Sequence, residues 1–137
     1  MGRLLGIDYG TKRTGLAATD PLKMIASPLE AVPTPRAFNK VKAYIAAEDV
    51  EAVVIGLPKG LDGKDTDMTE GARAFGQRLK KSYPQLPLHW VDERFTSKMA
   101  ERSMIASGMS KKNRRVKGNV DKISAAIILQ SFMEQNP

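Results

Sequence analysis

Three places along the chain put carboxylates where chemistry can use them. Asp8 follows the apolar run Leu4-Leu5-Gly6-Ile7 and precedes Gly10, at the C-terminal end of what reads as a buried strand. Ligands of open α/β sheets bind beyond the carboxyl ends of strands, although an Asp there can also serve only to shape a turn. Asp92 and Glu93 end a later strand ahead of Arg94. One of the pair can face the same crevice as Asp8; the plainer use is a surface ion pair with the arginine, which contributes little. Asp121 opens the last helix. At 100° per residue it points between Ile128 and Phe132, onto the stripe expected to pack on the sheet. The helix dipole favours an acid near an N-terminus, but it does not account for an inward direction. A carboxylate facing a core needs a partner.

Three carboxylates gathered at one place repel by about 3 kcal/mol per pair at ~5 Å and an effective dielectric near 20. A divalent cation removes that repulsion. Oxygen donors without His or Cys suit Mg²⁺ or Mn²⁺ better than Zn²⁺. Carboxylate-held ions beside a basic surface are the equipment of phosphodiester hydrolysis, activating water and stabilising the leaving oxygen.

The basic surface is present. Lys and Arg number 22 against 15 Asp and Glu, a formal charge of +7, and the excess is clustered. From Lys98 to Lys122 eight basic residues stand against two acidic ones, a local +6. Lys111, Lys112, Arg114, Arg115 and Lys117 lie within seven residues and run into the helix that bears Asp121. Such a cluster points to phosphate-rich partners, where scattered charges would only keep a surface solvated. Lys12 and Arg94, next to the acids, are further candidate contacts with nucleic acid.

Other chemistries lack their parts. With no cysteine there is no disulfide, thiolate metal site or thiol nucleophile, which fits a reducing compartment. His89, the one histidine, alternates with Leu88 and Trp90 on a short strand and reads as structural. No Ser–His–Asp arrangement surrounds it. The loop from Lys59 to Lys64 has glycines but not P-loop spacing. The seven methionines read as fillers of core gaps. No leader peptide or membrane-length apolar run is legible, so a cytoplasmic protein without membrane contact is expected.

The elements that must position the acids follow from periodicity, within a single domain spanning 1–137. Strands are expected over Leu4–Asp8, Thr14–Thr19 and Met24–Val32, the first two as a hairpin and the third demoted by Pro28 to an edge or a bulge. A helix over Arg36–Glu48 carries Phe38, Val41 and Ile45. The apolar run Ala52–Leu57 suits a central parallel strand. A helix over Met68–Lys81 with Ala72, Phe75 and Leu79 on one stripe, a strand over Leu88–Val91, a helix capped by Thr96 or Ser97 through about Ser107, and a last helix over Val120–Met133 complete the chain. The order predicts an α/β domain whose five-stranded mixed sheet joins an antiparallel meander to parallel strands, flanked by helices.

Leu5-Gly6-Ile7-Asp8-Tyr9-Gly10-Thr11-Lys12 with Gly15 resembles the first strand of the YqgF/RuvX family. So do Val54-Ile55-Gly56-Leu57-Pro58, Asp92-Glu93-Arg94 with Thr96-Ser97, and Lys117-Gly118 leading to Asp121 and Ala125-Ala126-Ile127-Ile128-Leu129. The four motifs span essentially the whole chain. The resemblance implies an RNase H-like fold related to the Holliday-junction resolvase RuvC. It implies a nuclease, viewed either as a resolvase of junction DNA or as the enzyme that trims the 5′ end of precursor 16S rRNA. It also implies Asp8, Glu93 and Asp121 as catalytic metal ligands. The related resolvases use four acids, one of them on the fourth strand. Here that strand ends Gly56-Leu57-Pro58 without an acid, which leaves Asp92 as a candidate fourth donor.

Two other readings use the same residues. A non-catalytic RNA-binding or ribosome-assembly module would use the charge alone. A nucleotide-binding phosphotransferase would use Asp8-Tyr9-Gly10-Thr11-Lys12 as a phosphate loop, but it needs two such domains. A symmetric junction cutter needs two active sites, so monomer and homodimer both stay open.

Overall fold

The computed structural model describes residues 2–57, 67–92 and 119–136, the side chains of Asp67, Asn119, Val120 and Asp121 excepted. The elements are β1 (Arg3–Asp8), β2 (Arg13–Thr19), β3 (Ala26–Pro33), α1 (Thr34–Ala47), β4 (Val50–Leu57), α2 (Asp67–Ser82), β5 (Leu88–Asp92) and α3 (Asn119–Gln135). The helix expected over 96–107, the 111–117 loop, Glu93 and Arg94 lie outside the described residues.

The strands form one sheet in the order β3-β2-β1-β4-β5. β1, β2 and β3 make the antiparallel meander, while β4 pairs parallel to β1 and β5 parallel to β4. The apolar run 52–57 therefore does lie in an inner parallel strand, buried on both faces as its composition requires. β3 is an edge strand, and Pro28 pairs with Ala17 at a register shift of β2, so the proline meets both conditions that a sheet sets for it. β3 begins at Ala26, two residues later than Met24. Asp20 is the reason: its Oδ1 accepts the N–H groups of Met24 and Ile25, each at 2.8 Å, and holds them in a turn.

Strand alternation sorts the sheet into two cores. Leu5, Ile7, Val53 and Ile55 face α1 and α2, where Phe38, Val41, Phe75 and Leu79 complete a buried cluster. Leu4, Ala17, Ala52, Val54 and Val91 face α3, meeting Ala125, Ala126, Ile128 and Leu129. The second face is floored by small side chains, which lets α3 lie close. An added Cβ at Gly6 would stand 2.5 Å from Leu129 Cγ and 2.9 Å from the Ala125 carbonyl oxygen. The stripe Ala72–Phe75–Leu79 on α2 is buried as its spacing predicts. The methionines depart from expectation: Met24 is exposed, and Met68 and Met133 are only partly covered, so none of the described ones fills the core.

Candidate active site

Asp8 is the last residue of β1 and is half-buried. It pairs in register with Gly15 on β2 and with Gly56 on β4, and Gly56 pairs in turn with Val91 on β5. The row across the carboxyl edge of the sheet is thus Gly15, Asp8, Gly56, Val91. Asp8 shares the α3 face with Leu4 and Gly6 by alternation. On either side of it stands a residue with no side chain, so nothing in the row competes for the space beside its carboxylate. A glycine late in a strand commonly marks such a close approach. Gly15 and Gly56 were visible in the sequence in this sense, but which acid they flank is set only by the strand register.

The three described helices begin near this edge, α1 and α2 on one face of the sheet and α3 on the other. α1 begins where the Thr34 N–H donates to the Lys12 carbonyl (3.0 Å), and the Thr34 hydroxyl donates to the Gly10 carbonyl (2.5 Å). Thr14, buried on β2, joins the same network through its hydroxyl, 3.0 Å from that of Thr34. Pro35 occupies the first turn of α1, where its missing N–H is harmless. Gly71, in the second turn of α2, lies against the Tyr9 ring, which packs on Phe75 at 5.6 Å between centroids. α3 runs antiparallel to β1. Its middle crosses Gly6, while Phe132, Met133 and Asn136 near its end line a cavity with Leu4 and Ala52 at the sheet's amino edge. From Ala125 back to position 121 is one helical turn, about 6 Å, and from Gly6 on to Asp8 is about 6.7 Å of strand. The backbone at 121 is therefore level with Asp8.

Asp92 pairs with Leu57, one step beyond the row, and alternates onto the face of α1 and α2, opposite to Asp8. Lys12 is exposed on the β1–β2 turn beside the edge. The Ser124 hydroxyl, three residues past position 121, is buried at 1 % exposure and has no hydrogen-bond partner among the described residues. His89 lies at the opposite edge, its ring tilted against that of Phe132 at 4.7 Å between centroids, away from Asp8. Among the described residues no three acids or histidines are grouped to hold a metal. Asp8 is the described member of the expected set, with the Glu93 and Asp121 side chains outside it.

Comparisons with known proteins bear on the family and the fold. The family described as "RuvX: Holliday junction resolvase" matches residues 2–135. Relatives named "Putative pre-16S rRNA nuclease" include one from Christiangramia forsetii, 49% identical over 133 residues, covering 97% of this chain and 98% of the relative. Another, from Bacteroides thetaiotaomicron, is 46% identical over 134 residues and covers 98% and 97%. Among solved structures, Thermus thermophilus RuvC in complex with a Holliday junction substrate superposes with a TM-score of 0.60 at 17% identity, covering 98% of this chain and 96% of that one. At that identity the likeness is one of fold, and the fold is RNase H-like.

Proposed function

This chain belongs to the RuvX family of nucleases, and we propose that it hydrolyses phosphodiester bonds in nucleic acid with Asp8, Glu93 and Asp121 as its catalytic acids. The observation that carries the proposal is the row at the carboxyl edge: a half-buried carboxylate between two glycines, at the edge near which the described helices begin. Each N-terminus carries the positive end of its helix dipole, roughly half a charge, so the edge favours a phosphate over a neutral ligand. Val91 shares Asp8's face and Asp92 does not, so continued alternation favours Glu93 over Asp92 as the acid of β5's end that joins Asp8. Position 121 lies one helical turn before Ala125, which meets the sheet, and Asp121 is the expected third acid.

A donor set of carboxylate oxygens fits Mg²⁺ or Mn²⁺. Such ions, when bound, supply an activated water and a stabilised leaving oxygen. The chain's own groups do the rest. Asp8 fixes the position of the centre through a strand buried on both sides. The glycines let the sugar–phosphate backbone come close. Lys12, Arg94 and the Lys111, Lys112, Arg114, Arg115, Lys117 cluster draw the polyanion in and orient it.

The names of the relatives favour precursor 16S rRNA as the substrate, which would place the protein in the cytoplasm, and the family resemblance favours its 5′ end as the point of cleavage. Branched DNA is the competing substrate. Cleavage assays with either ion, offering precursor rRNA and a four-way junction in parallel, separate the two. Asp8→Asn, Glu93→Gln and Asp121→Asn should each abolish cleavage, and Asp92→Asn should retain most of it. RNA binding without cleavage under both ions would mean a non-catalytic assembly module instead.

A further inference from the structure

The seam between α1 and α2, on the face of the sheet away from α3, gathers cations that few acids offset. The two helices carry seven basic residues against two acidic ones, and both acids stand in the first turn of α2. Of the chain's +7, these helices hold +5 and the 98–122 stretch +6, so everything else sums to −4. Solubility is served by interspersed signs. Positive charge gathered in two places instead marks surfaces for a polyanion.

At the middle of the seam Phe38 of α1 meets Phe75 of α2 edge to face, their centroids 6.0 Å apart. The Arg78 guanidinium lies 3.9 Å from the Phe38 centroid, and the Lys42 ammonium 5.8 Å from the same point. One cation from each helix is thus drawn to one ring. That holds the two charges within about 10 Å of each other, one Debye length at 0.1 M salt. Both side chains are exposed, and neither pairs with an acid among the described residues. Lys40, on the β3 side of α1, is by contrast tied to Glu30 at 3.1 Å. Two cations so placed repel each other, and an anion between them removes the repulsion. A guanidinium already held against a ring has less freedom to lose when it binds, which suits it to a phosphate.

The seam is continuous with the edge that bears Asp8. Tyr9, its neighbour in sequence, packs on Phe75 at 5.6 Å and lies against Gly71. Tyr9, Phe75 and Phe38 therefore form an aromatic row from the edge to the cation pair. Arg78 stands seven residues beyond Gly71, about 10 Å along α2, and Lys42 eight beyond Thr34, about 12 Å along α1. The pair thus sits at one depth, roughly three phosphate steps of a single strand away from the edge. We infer that the α1–α2 seam is a second contact surface for nucleic acid, where Lys42 and Arg78 hold the sugar–phosphate backbone of the strand that is cut at the Asp8 edge. The inference rests on the reading of this chain as a phosphodiester hydrolase. The two residues bind the substrate and take no part in the cleavage step.

The test measures binding of RNA and DNA strands of about 20 nucleotides to the intact chain between 0.1 and 1 M salt, with Asp8→Asn present throughout to prevent cleavage. Adding Lys42→Ala with Arg78→Ala should lower the salt slope by about 1.5, which at 0.1 M is roughly a 30-fold loss of affinity that fades towards 1 M. The change should be the same for RNA and DNA, because the contacts are to phosphate. Lys23→Ala with Lys40→Ala removes the same charge from other faces and should leave the slope unchanged. Arg78→Lys keeps the charge and should keep the slope, and melting curves check that each variant is folded. With Asp8 restored, the Lys42 and Arg78 double substitution should raise KM for the long strand at unchanged kcat, and alter neither for a strand of about four nucleotides, too short to reach the seam. An unchanged slope, an equal loss from the Lys23 and Lys40 pair, or a loss confined to one nucleic acid overturns the inference and leaves the hydrolase reading standing; an unchanged slope would also free the seam for an acidic protein. Unmodified protein that neither binds nor cleaves nucleic acid overturns both.

Discussion

Replacing Gly6 with alanine tests how the tertiary packing sets the site. The new Cβ would meet Leu129 Cγ at 2.5 Å, Leu129 Cδ1 at 2.9 Å and the Ala125 carbonyl oxygen at 2.9 Å. Unstrained carbon contacts lie at about 3.5–4.0 Å. Leu129 can rotate, but the Ala125 oxygen is helix backbone, so α3 must lift from β1 by roughly half an ångström to one. Overpacking of this kind destabilises by about 1–3 kcal/mol. For a chain of this size that lowers the melting temperature by roughly 5–10 °C. The same shift moves position 121 away from Asp8. Misplacing catalytic groups by ~1 Å reduces rates about 100-fold. Urea unfolding and cleavage kinetics, the latter at a temperature where both proteins are folded, give the two numbers. Leu129→Ala alone removes a fully buried side chain and should cost about 2–5 kcal/mol, but combined with Gly6→Ala the two should cost less than the sum of the single changes, because the new methyl then occupies space that Leu129 has left. If Gly6→Ala lowers stability while the folded variant cleaves at the original rate, the packing of α3 on β1 does not set the site. If neither changes, the close approach itself is refuted.

Four further outcomes follow from particular contacts. Ser124→Ala removes a buried hydroxyl that has no partner among the described residues and should leave stability unchanged or raise it by about 1 kcal/mol; a loss above that in urea unfolding would reveal a partner beyond them. Glu51 is held below its ordinary value of 4.5, first by the hydrogen bonds from Lys23 and then by the Gly2 N–H. A depressed carboxyl contributes its stability above the unfolded value and loses it as pH falls through the folded one, so this tie should release only in acid below about pH 4.5. NMR titration of Lys23→Met should show the Glu51 value move upward; no movement would mean that the pair does not form. Replacing Arg114 and Arg115 with alanine should weaken nucleic-acid binding across sequences and flatten its salt slope by about 1.5, and an unchanged slope would remove that loop from the interface.

The local pattern of the chain was enough to reveal its elements. Ala72, Phe75 and Leu79 recur at helical spacing because one face of α2 must be apolar, and Ala52–Leu57 reads as continuous because an inner parallel strand is buried on both sides. Asp8 was legible as a candidate because an acid that ends a buried strand is rare enough to stand out. What the sequence could not rank was Asp92 against Glu93. Adjacent residues on a strand face opposite sides, and which side Asp8 occupies depends on the register of β1 against β4 and β5, pairings between segments more than 30 residues apart. Nor could it reveal that Gly15 and Gly56 flank Asp8, or that Met24 lies outside the core, held there by Asp20's hydrogen bonds. Periodicity is a property of one segment and survives being read alone. Register, approach and exposure are properties of pairs of segments, and they exist only once the chain has folded.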